Sequence, residues 1–457
     1  MSTQASRREF LKRAAALSVS GVAAPLALNL AAMGEAAAAN ATGYKALVCV
    51  FMYGGNDYAN TVVPYDPASY ALYNGQRAAI ALPRANLTAT ALNPALALAG
   101  GRQYALAPEL SGLVPIFDAS KMAVMLNIGT LIQPTTKAQY SAKSVPLPPK
   151  LFSHNDQQSF WQSSSPEGST SGWGGRMGDL FAASNGNATF TCVSAAGNAV
   201  YLSGQSAVQY QVTSNGSVPL AGLKKPLFGS TACSDALRAL VTAPRTHLFE
   251  AEHTRIMARS IDADVQLTTA LAGRAPLTTV FPSGNNLAAQ LNMVARMIAA
   301  RDTLTAKRQV FFVSIGGFDT HDDLAADHPV LMGQVGPALA AFYAATQELG
   351  VADQVTTFTA SDFGRTLTTD GDGSDHGWGS MHFVLGGAVK GKAFYGAAPA
   401  IANNGPDDVG QGRLLPSISV DQFGATLGTW FGVSDGEMAT VMPNLKNYST
   451  RNLGFMA

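Results

Sequence analysis

Lys45-Ala-Leu-Val-Cys-Val-Phe-Met-Tyr53-Gly-Gly-Asn-Asp57 is the stretch on which the fold turns. It is apolar at nearly every position, without the alternation of a strand that faces water on one side. Such a run fits a strand covered on both faces, as in a parallel sheet. Two glycines stop it, and Asn56 and Asp57 follow at its carboxyl end. Open parallel sheets bind ligands outside the carboxyl ends of their strands. The polar residues after each further strand are therefore the candidates for function.

Working outward, Ala123–Ile128, Thr189–Ala195, Gln309–Ile315, Gln354–Thr359 and His382–Leu385 read as further strands. Leu287, Leu291, Val294 and Ile298 are spaced 4, 3 and 4 apart, which is one face of a helix. Pro329 to Leu349 reads as a helix closed by Gly350, and Ala243 to Gly273 as a long one. Asn155 to Ser163 reads as a short helix with Ser153 at its N-cap. Leu131 to Pro149 and Ser163 to Gly175 read as loops, and an irregular insertion falls near 200–230. Helices alternating with strands predict an α/β fold with a mostly parallel central sheet flanked by helices.

The chain has 457 residues, of which 47% are hydrophobic and 13% charged. A disordered chain would be richer in charge, so a folded core is expected. With 30 basic and 30 acidic residues the formal net charge is zero, which argues against a nucleic-acid partner. Three cysteines are too few for a disulfide scaffold. Cys192 and Cys233 could pair, while Cys49 belongs to the apolar strand.

Residues 1–39 read as an export signal rather than as part of the fold. Ser6-Arg7-Arg8-Glu9-Phe10-Leu11-Lys12 sets a twin arginine before a weakly apolar run, Ala14 to Met33, and Ala36 to Ala39 supply small-residue cleavage sites. Removing Arg7, Arg8, Lys12 and Arg13 with Glu9 and Glu35 leaves a net charge of −2. No later run is long enough for a membrane span. The expectation is one domain over 40–457, in the periplasm or outside the cell.

Acids and histidines gather after the predicted strands. Asp57 follows the first; Asp319, Thr320 and His321 follow Gln309–Ile315; Asp362 and Arg365 follow Gln354–Thr359; Asp370, Asp372, Asp375 and His376 precede the last. Asp and His without Cys suit Zn, Mn, Mg or Ca. Any one of these acids is also what turns and helix starts favour. Asp319, His321, Asp362 and His376 together, with Asp57 beside them, point to a divalent metal site.

Several of these stretches resemble a known family. They are Phe51-Met-Tyr-Gly-Gly-Asn-Asp57-Tyr-Ala-Asn-Thr-Val-Val-Pro64, Phe152-Ser-His-Asn-Asp-Gln-Gln-Ser-Phe-Trp161, Gly172-Trp173 with Arg176, Ile315-Gly-Gly-Phe-Asp-Thr-His321, Ser361-Asp-Phe-Gly-Arg-Thr366 and Asp375-His376-Gly377. They are similar to the motifs of the secreted bacterial family called domain of unknown function 1501. That family in turn resembles the alkaline phosphatase and sulfatase superfamily. The resemblance implies that Asp57, Asp319, His321, Asp362 and His376 bind metal, with His382 as the fallback for His376. Two departures stand out: Phe363 occupies the place where phosphatases carry a His after the late Asp, and only Thr320 separates Asp319 from His321.

Superfamily hydrolases set their nucleophile at a helix N-terminus. Ser153 is the motif-borne candidate, with a plain N-cap as its other role. His154 could orient a base or bind metal, and Arg365 could clamp an anionic ester or pair with a neighbouring acid. Two functions follow from this reading. One is an exported, metal-dependent hydrolase or transferase of phosphate or sulfate esters. The other is a non-catalytic envelope protein of phosphatase-like fold that holds an ion or a partner protein.

Overall fold

The computed structural model describes Ala41 and residues 43–457, so the predicted export signal lies outside the described residues. The main sheet contains, in chain order, β1 (Lys45–Met52), β2 (Met122–Gly129), β3 (Cys192–Ser194), β4 (Tyr210–Thr213), β5 (Gly216–Ser217), β6 (Arg308–Ile315), β7 (Val355–Ser361), β8 (Ser380–Gly386), β9 (Ala393–Tyr395) and β10 (Ile418–Ser419). Their order is β9-β2-β8-β7-β1-β6-β3-β4-β5, with β10 against β2. β1 lies at the centre and runs parallel to both β6 and β7. β8 runs antiparallel to β7 and β2, so the sheet is mixed but mostly parallel.

The period-2 geometry of β1 accounts for its unbroken apolar run. Ala46, Val48, Val50 and Met52 enter one core, and Leu47, Cys49 and Phe51 enter the other. Eight helices matter here: α1 (Lys137–Ala142), α2 (His154–Ser163), α3 (Trp173–Phe181), α4 (Thr231–Thr242), α5 (Leu248–Ala272), α6 (Asn286–Ala299), α7 (Leu324–Glu348) and α8 (Val420–Phe431). Leu291, Val294 and Ile298 of α6 and Leu339 and Phe342 of α7 fill the first core. Trp173 and Met177 of α3 and Phe423 and Leu427 of α8 fill the second.

The local differences from the sequence reading have physical causes. α1 sits inside the expected loop 131–149, started by a capping box between Thr136 and Gln139. The long helix expected over 243–273 begins only at Leu248, after a break that contains Pro244. α7 starts five residues before Pro329 and holds Pro329 and Pro337 inside it. Gly350 ends it in the left-handed region, as expected. The insertion is larger than read: a β4–β5 hairpin leads into α4 and α5. All three cysteines are free. Among the described residues no helix is long and apolar enough to cross a membrane.

Candidate metal centre

Register brings the three central strands to one edge. Met52 of β1 is level with Ile315 of β6 and with Ser361 of β7. Asp57, Asp319 and Asp362 therefore leave the sheet on the same side. The loops beyond are tightly fitted. A side chain at Gly54, which has φ +116°, would meet the Asp319 amide nitrogen at 2.3 Å, so only glycine admits the 318–319 backbone there.

Three imidazoles and two carboxylates lie above this edge in two overlapping groups, His154 with Asp319 and His376, and His321 with Asp375 and His376. Asp319 Oδ1 lies 3.4 Å from His154 Nε2, 3.1 Å from His321 Nε2 and 3.2 Å from His376 Nε2. His376 Nε2 lies 3.1 Å from His154 Nε2 and 2.9 Å from His321 Nε2. A tetrahedral zinc site with bonds of about 2.0–2.1 Å has ligand–ligand edges of about 3.3 Å.

The far nitrogens decide what faces inward. His376 Nδ1 is 2.7 Å from the Phe152 carbonyl, which can only accept. His154 Nδ1 is 2.7 Å from Asp362 Oδ2, which as a carboxylate also accepts. Each of these neutral rings thus carries its proton on Nδ1 and turns a bare Nε2 lone pair toward the other and toward Asp319. His321 Nδ1 faces Asp370 Oδ2 at 3.7 Å. Lone pairs and a carboxylate oxygen at this spacing repel unless a cation or a proton sits among them. An imidazole whose other N–H is held by a carboxylate or carbonyl is the usual arrangement of a metal-binding histidine. The residues present therefore fit a divalent ion.

The electrostatics agree. The Asp362 hydrogen bond raises the pKa of His154 above the ordinary histidine value, against the effect of burial. Burial lowers that of His376, with the neighbouring His154 acting in the same direction. Burial alone would raise the pKa of Asp319, but the Arg365 hydrogen bond and the nearby histidines hold it below the usual carboxylate value.

Four expected roles change. Asp362 does not reach the cluster; its Oδ2 accepts from His154, from the Gly54 amide at 3.1 Å and from Gln158 Nε2 at 2.9 Å, so it aims His154. Asp57 is fully buried, stands at the N-cap position of the short helix Tyr58–Thr61 without a side-chain capping bond, and is ion-paired with Arg77. Arg365 is fully buried and is no anion clamp. Its guanidinium holds Asp319 Oδ1 at 2.9 Å, the Gly54 carbonyl at 3.0 Å and Ser374. His382 is buried in β8 against Trp161, far into the core rather than at the edge. Ser153 stands at the N-cap of α2, and its hydroxyl donates to Asp156 Oδ2 at 2.9 Å.

Phe363 lies 4.9 Å, centroid to centroid, from both His154 and His376 and forms an apolar wall behind them. Sequence reasoning missed Arg413. It donates to the His376 carbonyl at 2.9 Å and to Asp375 Oδ2 at 3.0 Å, and its guanidinium lies 4.6 Å over the Phe152 ring. Nothing in Gly410–Leu415 signals this. Phe152 itself has φ +74°, a strained backbone for an aromatic residue, and that turn delivers its carbonyl to His376.

Comparison with solved structures finds the chain similar to the lipoteichoic acid synthase LtaP from Listeria monocytogenes. Identity is 9%, 87% of this chain and 74% of that one are covered, and the TM-score is 0.32. It is also similar to the PsFucS1 sulfatase from Pseudoalteromonas sp., at 9% identity over 87% and 70% of the two chains with a TM-score of 0.35. No curated protein matches by sequence. The family described as "Protein of unknown function (DUF1501)" matches residues 44–442, and the chain belongs to that family.

Proposed function

We propose that the protein is an exported, metal-dependent hydrolase or transferase of phosphate or sulfate esters. One observation carries the metal: the bare Nε2 atoms of His154 and His376 face each other and Asp319 while their Nδ1 protons are held from behind. His154, His376 and Asp319 would hold the ion, and His321, Asp375 and His376 form an overlapping second group. Two imidazoles and a carboxylate suit zinc, and then manganese, better than the oxygen-only preference of magnesium or calcium. A bound divalent cation would polarise the ester oxygen and stabilise the leaving charge. The motif resemblance supports the ester class, and the Arg7-Arg8 segment supports export.

The chain's own residues have separable duties in this reading. Asp362 and the Phe152 carbonyl fix the tautomers of His154 and His376. Arg365 keeps Asp319 ionised and in place. Phe363 keeps water from the back of the two rings. Ser153 is the available hydroxyl, with Asp156 positioned to take its proton.

A second reading is a non-catalytic envelope protein that keeps the ion or a partner. One observation favours it: both guanidinium groups of the site, Arg365 and Arg413, are committed to the chain's own carboxylates. Metal analysis of the purified protein, followed by aryl phosphate, phosphodiester and aryl sulfate substrates, separates the readings. Bound metal with turnover that Asp319→Asn abolishes supports the enzyme. Bound metal with no turnover supports the second reading, and a protein that binds no metal removes the enzyme and leaves only the partner-binding form of the second. Replacing Arg7 and Arg8 by Lys should trap the precursor inside the cell.

A further inference from the structure

The arm built from β4, β5, α4 and α5 joins the first core through Val212 of β4 and through Ala263, Leu267 and Ala270 of α5. No residue of α4 is buried, and the buried residues of α5 (Ile261, Ala263, Leu267 and Ala270) all fall in its C-terminal half. Large apolar side chains concentrate on this arm: Phe228 is 90% exposed, Phe249 78%, Leu248 76% and Ile256 43%. A helical hairpin of this length gains little stability without a partner for its apolar face. Phe249 and Ile256 lie in the N-terminal half of α5, apart from Ile261, Leu267 and the other buried residues.

α5 also has a patterned face. Phe249, Glu252, Ile256 and Arg259 are spaced 3, 4 and 3 apart and so form one stripe. The stripe runs into a groove of about 340 Å³ whose walls include Val208, Tyr210, Ile256 and Arg259. The stripe is self-complementary. A two-fold axis midway between Glu252 and Arg259 pairs two α5 helices antiparallel. It sets each Glu252, which within its own helix is ion-paired with Arg255, opposite the other copy's Arg259 and brings the two Ile256 side chains within a residue of level. A two-fold contact requires this reciprocity, since each residue meets its counterpart's partner twice. Residues 204–273 carry six basic and five acidic side chains and no Trp. A helix that lies on anionic lipid has a Lys/Arg-rich polar face instead.

We propose that this arm is a self-association surface, and that two copies of the chain pair through antiparallel α5 helices in the register Glu252 to Arg259. The inference is independent of the metal centre.

Sedimentation velocity of the full chain tests it. A dimer is expected at micromolar concentration. Glu252→Arg and Arg259→Glu should each weaken it at least about tenfold, the loss expected for a charge pair turned repulsive. The double exchange Glu252→Arg/Arg259→Glu should restore it. Phe249→Ser should weaken it as well, with helix content and metal content unchanged in every variant. A chain that stays monomeric at about 100 µM overturns the proposal, because physiological pairing needs tighter binding than that. So does a dimer indifferent to both single changes, or a double exchange that fails to restore what each single change breaks. Binding to phosphatidylglycerol vesicles by a strictly monomeric chain would assign the arm to lipid instead.

Discussion

Asp57 and Asp319 leave neighbouring parallel strands on the same edge of the sheet, a few residues past level positions, and meet opposite surroundings. Asp57 is fully buried and faces Arg77, whose guanidinium also donates to the Thr366 and Leu367 carbonyls at 2.9 and 3.2 Å. Asp319 is 47% exposed and faces three imidazoles, with Arg365 behind it. The first arrangement is closed, with its charge neutralised within the chain. The second is open on the side where the His154 and His376 lone pairs meet. An acid after a buried strand is thus a structural ion pair or a ligand according to what the rest of the fold sends to meet it.

The largest expected effect breaks the comparison from the closed side. Asp57→Ala leaves the Arg77 charge buried and unpaired, which should cost about 3–5 kcal/mol of stability in urea titrations. Metal bound per folded chain should stay at the wild-type value. Loss of metal from well-folded Asp57→Ala protein would place Asp57 among the ligands after all.

The next effect follows acidity in the closed region. His328 is buried beside Asn56 and Thr61, and burial lowers its pKa to about 4. The unfolded chain then binds a proton first as pH falls. Stability from this group is full above about pH 6.5 and is lost as pH drops from there toward 4, by about 3 kcal/mol. Buried His382, lowered to about 3, acts in the same direction. Asp421, raised to about 6 by burial, acts oppositely, because it favours the fold once protonated. Urea midpoints of metal-free protein between neutral pH and pH 4 should fall, and His328→Gln should flatten that slope.

Chelation sharpens the open side. An ion bound at a hundredfold excess over its Kd stabilises the native state by about 2.7 kcal/mol. EDTA should therefore lower the melting temperature of the wild type. It should leave that of Asp319→Asn unchanged. An equal EDTA shift in both proteins would remove Asp319 from the ligand set.

The smallest effect concerns Asp370, which faces His321 Nδ1 at 3.7 Å with both groups near 40% exposed. A half-exposed pair of this kind is worth about 0–1 kcal/mol. Asp370→Ala should change metal affinity by less than about fivefold in calorimetric titration. A loss of a hundredfold would make Asp370 as important to its ring as Asp362 is to His154.

Much of the sheet was legible because a doubly covered strand must be apolar throughout, as Ala46 to Met52 is. The edge was legible too, since parallel strands deliver their following residues together. Partnership was not. The sequence marks Asp57, Asp319 and Asp362 alike, and only tertiary approach assigns Arg77 to the first, Arg365 to the second and His154 to the third. His154 was visible as a motif residue, but its Nε2 direction depends on Asp362, more than two hundred residues away. Arg413 had no local signal, because its three contacts lie on segments that meet only in the finished fold. The arm was read as shorter than it is because α4 lies between the expected insertion and the expected long helix, in a stretch given no element.

The pairing of β1 has a consequence for the timing of synthesis. Lys45 is registered with Arg308 and Ala46 with Val355, so the central strand is made first and its two neighbours long after it. At about 5–20 residues per second, β1 waits roughly fifteen to sixty seconds for both partners. During that interval the apolar run Ala46 to Met52 has an open edge exposed to wrong pairing. Arg413, which braces His376, emerges later still. Ion uptake then belongs to the completed polypeptide, and a ribosome that stops before β7 releases β1 with β6 on one edge and nothing to cover the other.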